Sequence, residues 1–441
     1  MVPVNKGEEY IIEIESVAAL GSGVGRIQGF TVFIPHSVGG DIVKARITRV
    51  KKNFAEAEIV EIIEKSANRA EEDCPHFRTC GGCQFRHMKY ESQLESKKEI
   101  VENAVRRIGG FTDFTLDEVI AAENAYHYRN KAVFRAGYEN GRVICGFNSA
   151  KSHNVTKTDG CLICNKDFSA IASAVAEHAN KYSVPPFDGK HGVLKSVFTR
   201  SSRKTGEIAA VISINAKKLP HEDELAKMIL SVSDKISGVM LNTSEKTRVL
   251  YGNETLMEEI GGINFKVSPE SFLQVNPAQT ERLYGKALEF ADVKNTDTVM
   301  DIYCGIGTIS LAAAKCAKRV IGVEKVERAI DDARENAKLN GIDNAEFFAA
   351  GAEEIVPELI KNGEKPDVII LDPPRAGSDE KTLTAICAAN PGKIVYVSCD
   401  AASLARDLKF ICTHGYKITR SAACDMFPHT AHIECVIKLE R

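Results

Sequence analysis

Cys399 stands where a run of β-forming residues, Ile394-Val395-Tyr396-Val397, hands over through Ser398 and Asp400 to a helical pattern in KIVYVSCDAASLARDL. In α/β proteins the carboxyl end of a strand is where ligands and reacting groups gather. A thiol there precedes a helix N-terminus, which is expected to lower its pKa and favour the nucleophilic thiolate. Glu434, in FPHTAHIECVIK, is expected at the start of the last strand among apolar neighbours. Burial would raise its pKa toward that of a usable base. Singly, each has a plainer reading, a packing cysteine and an edge-strand glutamate. Together they meet a specific demand. Uracil C5 is a weak nucleophile, and a thiolate adding to C6 makes an enolate whose C5 can attack a sulfonium methyl. A base must then take the C5 proton so that the thiolate can leave.

A donor of such a methyl has its own signature upstream. VMDIYCGIGTISLAAA reads as strand, glycine turn and helix, with Gly305 and Gly307 letting backbone approach a ligand. A dinucleotide fingerprint would need a third glycine where Ser310 stands, so NAD is disfavoured. Asp301 before the turn suits a positive amino group, and Glu324 at the end of VIGVE suits ribose hydroxyls. Both fit S-adenosylmethionine. DVIILDPPRAG ends a further strand in Asp372-Pro373-Pro374-Arg375, where two prolines stiffen the loop. Amino-methyltransferase loops of this kind carry an aromatic residue at the place of Arg375, which argues against methylation of an amino group.

CPHFRTCGGCQFRHMKY holds Cys74, Cys80 and Cys83, and its CxxC turn lets two thiolates face one centre. A fourth ligand must come from elsewhere in the chain. Four thiolates suit either zinc or a [4Fe-4S] cluster, and spacing does not choose. His76 and His87 are ligands in principle, with solvated loop positions the plainer expectation.

The chain that positions these groups has 441 residues, enough for two or three cores. It is 44% hydrophobic and 27% charged, the balance of a soluble globular protein. The start, MVPVNKGEEYIIEIES, reads as neither a signal peptide nor a targeting helix, and no stretch approaches the ~18 apolar residues of a membrane span. A cytoplasmic location without membrane attachment is expected. Thirteen cysteines, an odd number, argue against a disulfide framework. A formal net charge of −3 excludes a polycation and leaves nucleic-acid binding to local patches.

Residues 1–63 show short alternating strands broken by glycine turns, the pattern of an OB-like β-barrel. Residues 64–265 read as a mixed α+β region containing the cysteine knot. Between Tyr126 and Thr158, Arg129, Lys131, Arg135, Arg142, Lys151 and Lys157 stand with a single acid, Glu139, interleaved with Tyr126, Tyr128, Phe134, Tyr138 and Phe147. Lys190, Lys195, Arg200, Arg203 and Lys204 form a second, acid-free run. Phosphate neutralisation with aromatic stacking would suit single-stranded RNA; the bland alternative is a sheet with a charged outer face. Residues 266–441 alternate strand and helix, a doubly wound, Rossmann-like α/β domain. Its last two strands lack an intervening helix and are expected as an antiparallel hairpin at the sheet edge.

The motifs SFLQVNPAQTERLY, DIYCGIGTISLAAA, LDPPRAG, VSCDAASLARDL and PHTAHIECV resemble those of the RNA uracil-5-methyltransferases, which make 5-methyluridine in ribosomal or transfer RNA. More closely, the chain is similar to their branch with an N-terminal TRAM domain and a [4Fe-4S] cluster, and the resemblance spans essentially its whole length. It implies a class I methyltransferase domain, contacts to S-adenosylmethionine from Gln274, Tyr303, Glu324 and Asp372, Cys399 as nucleophile and Glu434 as general base. It also implies Cys161, in TDGCLICN, as the fourth cluster ligand beside Cys74, Cys80 and Cys83, with Cys164 its near competitor. Methyl transfer needs no electron, so such a cluster is expected to be structural. Structured RNA is the implied partner, 23S rRNA ahead of tRNA, with no protein partner. Where the family commonly has Ser-Cys-Asn-Pro, this chain has Ser398-Cys399-Asp400-Ala401, and a negative Asp400 would raise the thiol pKa unless neutralised. An RNA cytosine-5 methyltransferase would want an acid at cytosine N3, for which no motif is found. An RNA-binding iron–sulfur protein without activity is the non-enzymatic alternative.

Overall fold

The computed structural model describes residues 2–150, 152–269 and 271–441, so that Lys151 of the first basic cluster lies outside the described residues. Near the N-terminus, period-two alternation places every second side chain inward. β1 (Glu9–Val17), β2 (Ser22–Ile27), β3 (Phe30–Pro35), β4 (Ile42–Val50) and β5 (Phe54–Glu64) close a barrel in the order β1-β2-β3-β5-β4. Ile12, Ile14, Val32, Ile34, Val43 and Ile47 fill it.

After the cysteine knot come α1 (Tyr90–Ala104) and the short β6 (Glu118–Ile120). The strands β7 (Lys131–Glu139), β8 (Arg142–Asn148), β9 (Val155–Lys157), β10 (Leu194–Ser201), β11 (Ile208–Ile214), β12 (Ile236–Asn242) and β13 (Thr247–Gly252) form a seven-stranded sheet in the order β13-β12-β11-β10-β7-β8-β9. Helices α2 (Phe168–Lys181) and α3 (Glu222–Leu230) cover one face through Phe168, Ile171, Val175, Leu225 and Ile229. Tyr128 and Phe134 belong to this core, and Phe147 stacks on Phe134 with ring centroids 4.8 Å apart. Of the five aromatic residues noted for stacking, Tyr126 and Tyr138 remain exposed. Of the second basic run, Arg200 is buried, while Lys190, Arg203 and Lys204 stay exposed. Buried Arg200 donates to the carbonyls of Ser268 (3.0 Å) and Ser271 (2.8 Å), while Arg203 pairs with Glu281 and Lys204 with Glu259.

A hairpin of β14 (Leu256–Ile260) and β15 (Ile263–Val267) leads into the C-terminal layer. There follow α4 (Pro277–Ala291), β16 (Thr298–Ile302), α5 (Thr308–Ala314), β17 (Arg319–Glu324), α6 (Glu327–Leu339), β18 (Ala345–Ala349), α7 (Ala352–Lys361), β19 (Val368–Leu371), α8 (Glu380–Ala389), β20 (Lys393–Ser398), α9 (Ala401–Thr413), β21 (Lys417–Cys424) and β22 (Glu434–Glu440). The sheet is eight-stranded, in the order β18-β17-β16-β19-β20-β22-β21-β6. β16 to β20 run parallel, and β22 enters antiparallel between β20 and β21. The last two strands do form a hairpin, but not at the edge. β6 pairs with β21 and closes that side, and three residues are too few to show a pattern in sequence. Val101, Val105 and Leu116 join the same core, so the segment around α1 and β6 packs with the C-terminal layer. Among the described residues no helix is long and apolar enough to cross a membrane.

One ion pair ties α1 to this layer. Lys97 and Asp425 are both fully buried and 2.5 Å apart; Lys97 also donates to the Phe427 carbonyl (3.0 Å) and Tyr90 to the Asp425 carboxylate (2.9 Å). Burial pushes the Lys97 pKa down and Asp425 opposes it. Lys97→Ala would leave Asp425 charged and unpaired in the interior, and a loss of about 3–5 kcal/mol in denaturant-unfolding stability is expected.

Candidate active site

A cavity of about 1040 Å³ opens at the carboxyl ends of the parallel strands. Gln274, Asp301, Tyr303, Gly305, Glu324, Asp372, Cys399 and Glu434 all line it. Gly307 is not among its lining residues. With φ at +85° it starts α5, and a Cβ there would come 3.3 Å from Ala333 Cβ and 3.4 Å from the Phe347 ring, so its use is the turn and the helix packing.

At the end of β16, Asp301 is fully buried. Its Oδ2 accepts from Ser310 Oγ at 2.5 Å, and its Oδ1 has no partner. Burial pushes its pKa up to about 7. Ser310, the residue that breaks the dinucleotide fingerprint, therefore holds the acid. Tyr303 takes the left-handed conformation (φ +70°), and the backbone N–H groups of Tyr303 and Cys304 both donate to the Val323 carbonyl, which folds the turn over β17. Glu324 is oriented by two N–H donors, Gly305 to Oε2 (3.3 Å) and Val326 to Oε1 (2.9 Å). Asp372 follows β19, and burial pushes its carboxyl to about 7.

Ser398 of β20 lies opposite Cys435 of β22, so one further step in that antiparallel register sets Cys399 against Glu434. Glu434 is 2% exposed with Oε2 unpartnered. Burial, and then Asp372, hold its carboxyl well above the usual range against the pull of Arg375. The expectation of a lowered thiol pKa at Cys399 is overturned. Burial, Glu434 and Asp372 push it up to about 11, with Arg375 opposing. The helix end does not help because Asp400 occupies it: its Oδ1 accepts from the N–H groups of Ala402 (3.1 Å) and Ser403 (2.8 Å). Asp400 is thus an N-cap, and the charges that raise the thiol come from across the cavity.

Asp301 and Glu434 are buried with one carboxyl oxygen each unpartnered, and carboxyls so placed on a cavity of this size suit a ligand that brings positive charge. Sequence reasoning gave no role to several neighbours. Tyr284 on α4 is buried and bonds Gln274, Arg375 is the cation beside thiol and carboxyl, and Phe427 and His432 enter from the segment between β21 and β22. The available signal was their place in the motifs SFLQVNPAQTERLY, LDPPRAG and FPHTAHIECVIK.

Cys74, Cys80, Cys83 and Cys161 line a second cavity of about 360 Å³, which Cys164 shares. Burial pushes the Cys83 thiol to about 12, while a hydrogen bond from Cys164 brings Cys161 down to about 6. Among the described residues no group of three or more His, Cys, Asp or Glu side chains is arranged to hold a metal ion, so the expected cluster site is not shown by the fold. His87 is buried rather than solvated, 3.2 Å from the Ser37 carbonyl of the barrel, and His76 lies 3.1 Å from the Asp159 carbonyl.

Residues 89–441 match the family model described as tRNA (uracil-5-)-methyltransferase, and residues 3–60 match the TRAM domain. A Clostridium tetani protein named as an uncharacterized RNA methyltransferase is 40% identical, covering 99% of this chain and 97% of its own. One from Halalkalibacterium halodurans, similarly named, is 40% identical over 99% of this chain and 98% of its own. Among solved structures, the Pyrococcus abyssi tRNA (uracil-54, C5)-methyltransferase in complex with S-adenosyl-L-homocysteine superposes with a TM-score of 0.77 at 26% identity, covering 97% of this chain and 99% of that one.

Proposed function

The chain belongs to the tRNA (uracil-5-)-methyltransferase family and is an S-adenosylmethionine-dependent RNA methyltransferase with a TRAM domain; from that premise we propose that Cys399 attacks C6 of a uridine, most readily one in 23S rRNA, and that Glu434 removes the C5 proton. The observation that carries this reading is the meeting of Cys399 and Glu434 across β20 and β22 on the cavity that Asp301, Glu324 and Asp372 also line. S-adenosylmethionine supplies an electrophilic methyl when bound. Gln274, Tyr303, Glu324, Asp372 and Asp301 would hold it, with Gly305 giving its backbone room. A positive charge among Asp372, Glu434 and Cys399 lowers all three pKa values and so favours the thiolate and the ionised base. The target uridine would be splayed from its loop into the cleft, held by the barrel and the exposed Tyr126, Tyr138 and Arg135. Such a substrate fits the cytoplasmic location expected from the sequence.

The test is incorporation of tritiated methyl into bulk rRNA and tRNA, followed by mapping of 5-methyluridine in a deletion strain. Label in 23S rRNA, with one or more uridines lost from the map, is expected. The second reading is tRNA, favoured by the Pyrococcus abyssi neighbour, which acts on tRNA uracil 54. Absence of label from both RNAs would leave only a binding role.

The raised carboxyl pKa values predict a pH dependence. Asp301 and Asp372, pushed to about 7, are protonated below that pH and ionised above it. A cationic ligand prefers the ionised form. S-adenosylmethionine affinity is therefore expected to rise from pH 6 to pH 8, with proton release seen by calorimetry in buffers of different ionisation enthalpy. Asp301→Asn should flatten part of that rise.

Cys74, Cys80, Cys83 and Cys161 would hold a [4Fe-4S] cluster that clamps the knot. Protein purified without oxygen is expected to carry about four irons per chain, lost in Cys80→Ser/Cys83→Ser. Stoichiometric zinc in place of iron would overturn that assignment.

A further inference from the structure

The segment from Asp425 to Ile433 ends on Glu434 and lends Phe427 and His432 to the cavity. Its own internal bonds are few, chiefly Thr430 to the Phe427 carbonyl through N–H (3.1 Å) and Oγ1 (2.9 Å). The rest of its backbone is held largely by residues distant in sequence. The Pro428 carbonyl accepts from Tyr128 Oη (3.0 Å). The His429 carbonyl accepts from the N–H groups of Gln84 (3.0 Å) and Phe85 (2.9 Å). His429 N–H donates to Gln93 Oε1 (2.9 Å), and Gln93 Nε2 reaches His429 Nδ1 (3.3 Å). Ala431 N–H donates to Gln84 Oε1 (3.2 Å). His429 is in the left-handed conformation, φ +67°, a shape that persists only when its surroundings impose it. Ala431 packs in a small core with Val17 and Val38 of the barrel, Phe85 and Met88 after the knot and Ile100 of α1.

We infer that Gln84 and Gln93 are positioning residues for the proton-abstraction half of the reaction: they fix the path of His429 to Ala431 and so the placement of Glu434 opposite Cys399. The inference rests on Glu434 being the base. Cys399 is held separately, by β20 and the Asp400 cap of α9, and Asp301 and Glu324 are held by β16 and β17. Glu434 is the first residue of β22, paired with Cys424 of β21, so loosening the segment just before it is expected to disturb the base more than Cys399 or the Asp301 and Glu324 carboxyls. Gln84 directly follows Cys83, so this residue links the knot to the segment that precedes the base.

The test uses the full chain with Gln84→Met and Gln93→Met, which keep volume and remove the amide. A displacement of about 1 Å costs roughly a hundredfold in rate. kcat is expected to fall by that order with S-adenosylmethionine affinity unchanged, while a methylated protein–RNA adduct accumulates on denaturing gels. Gln84→Glu keeps the acceptor for Ala431 N–H and is expected to recover most of the rate. Glu434→Gln is run beside them. If Glu434→Gln traps the adduct while both methionine variants turn over without accumulation, the positioning role is overturned and the base stands. If Glu434→Gln turns over normally, the base reading itself fails. Joint loss of cofactor binding and adduct formation in the methionine variants means a structural role, and also overturns the inference.

Discussion

Cys399→Ala abolishes methyl transfer, by at least about 10⁴-fold if the thiol carries the covalent step, while S-adenosylmethionine still binds. The side of the cavity proposed for the cofactor is lined by Asp301, Glu324 and Asp372, which stand at the ends of β16, β17 and β19. Truncation even removes a group whose ionised form would repel Asp372 and Glu434. Calorimetry should show cofactor affinity retained, and a tritium assay should show no product above background. Measurable turnover in this variant would mean that C6 is not activated by Cys399, and the proposed chemistry would have no nucleophile.

Glu434→Gln is expected to separate the two halves of the reaction. The amide cannot accept the C5 proton, so the covalent RNA adduct cannot resolve and should migrate as a slow band on a denaturing gel. The same change removes a carboxyl group that helps push the Cys399 thiol to about 11. Adduct formation should therefore be no slower than in the parent, with any gain confined to pH values at which Glu434 is ionised in the parent, because only its charged form opposes the thiolate. In the parent enzyme the carboxyl is held well above its ordinary pKa by burial and Asp372. Resolution of the adduct should accordingly speed up as pH rises and Glu434 ionises. A pH-independent resolution step would point to another base.

The chemistry-bearing motifs were legible because each is contiguous. The strand–turn–helix around Gly305 follows from local residue types, as do the proline-stiffened end after Asp372 and the hand-over at Cys399. The barrel, too, follows from a strict period of two, with Ile12, Ile14, Val32 and Ile34 all inward. The pattern failed where elements were too short or partners too distant. β6 has three residues, so the hairpin of β21 and β22 read as a sheet edge although it is covered. Arg200 looked like an RNA contact among other bases but is buried on two carbonyls.

The residue types and local spacing in the sequence determined the methyltransferase family and pointed to the chemistry proposed for it, one thiol and one carboxyl at a methyl-donor site, since contiguous motifs carry that information by themselves. Only the folded chain decided that Cys399 and Glu434 stand opposite each other, since their meeting depends on the pairing of β20 with β22 across a gap in sequence. Only the fold, likewise, set the direction of the thiol pKa. Proximity to a helix end is visible in sequence, but burial, Asp372, Glu434 and the prior claim of Asp400 on the helix N–H groups are not.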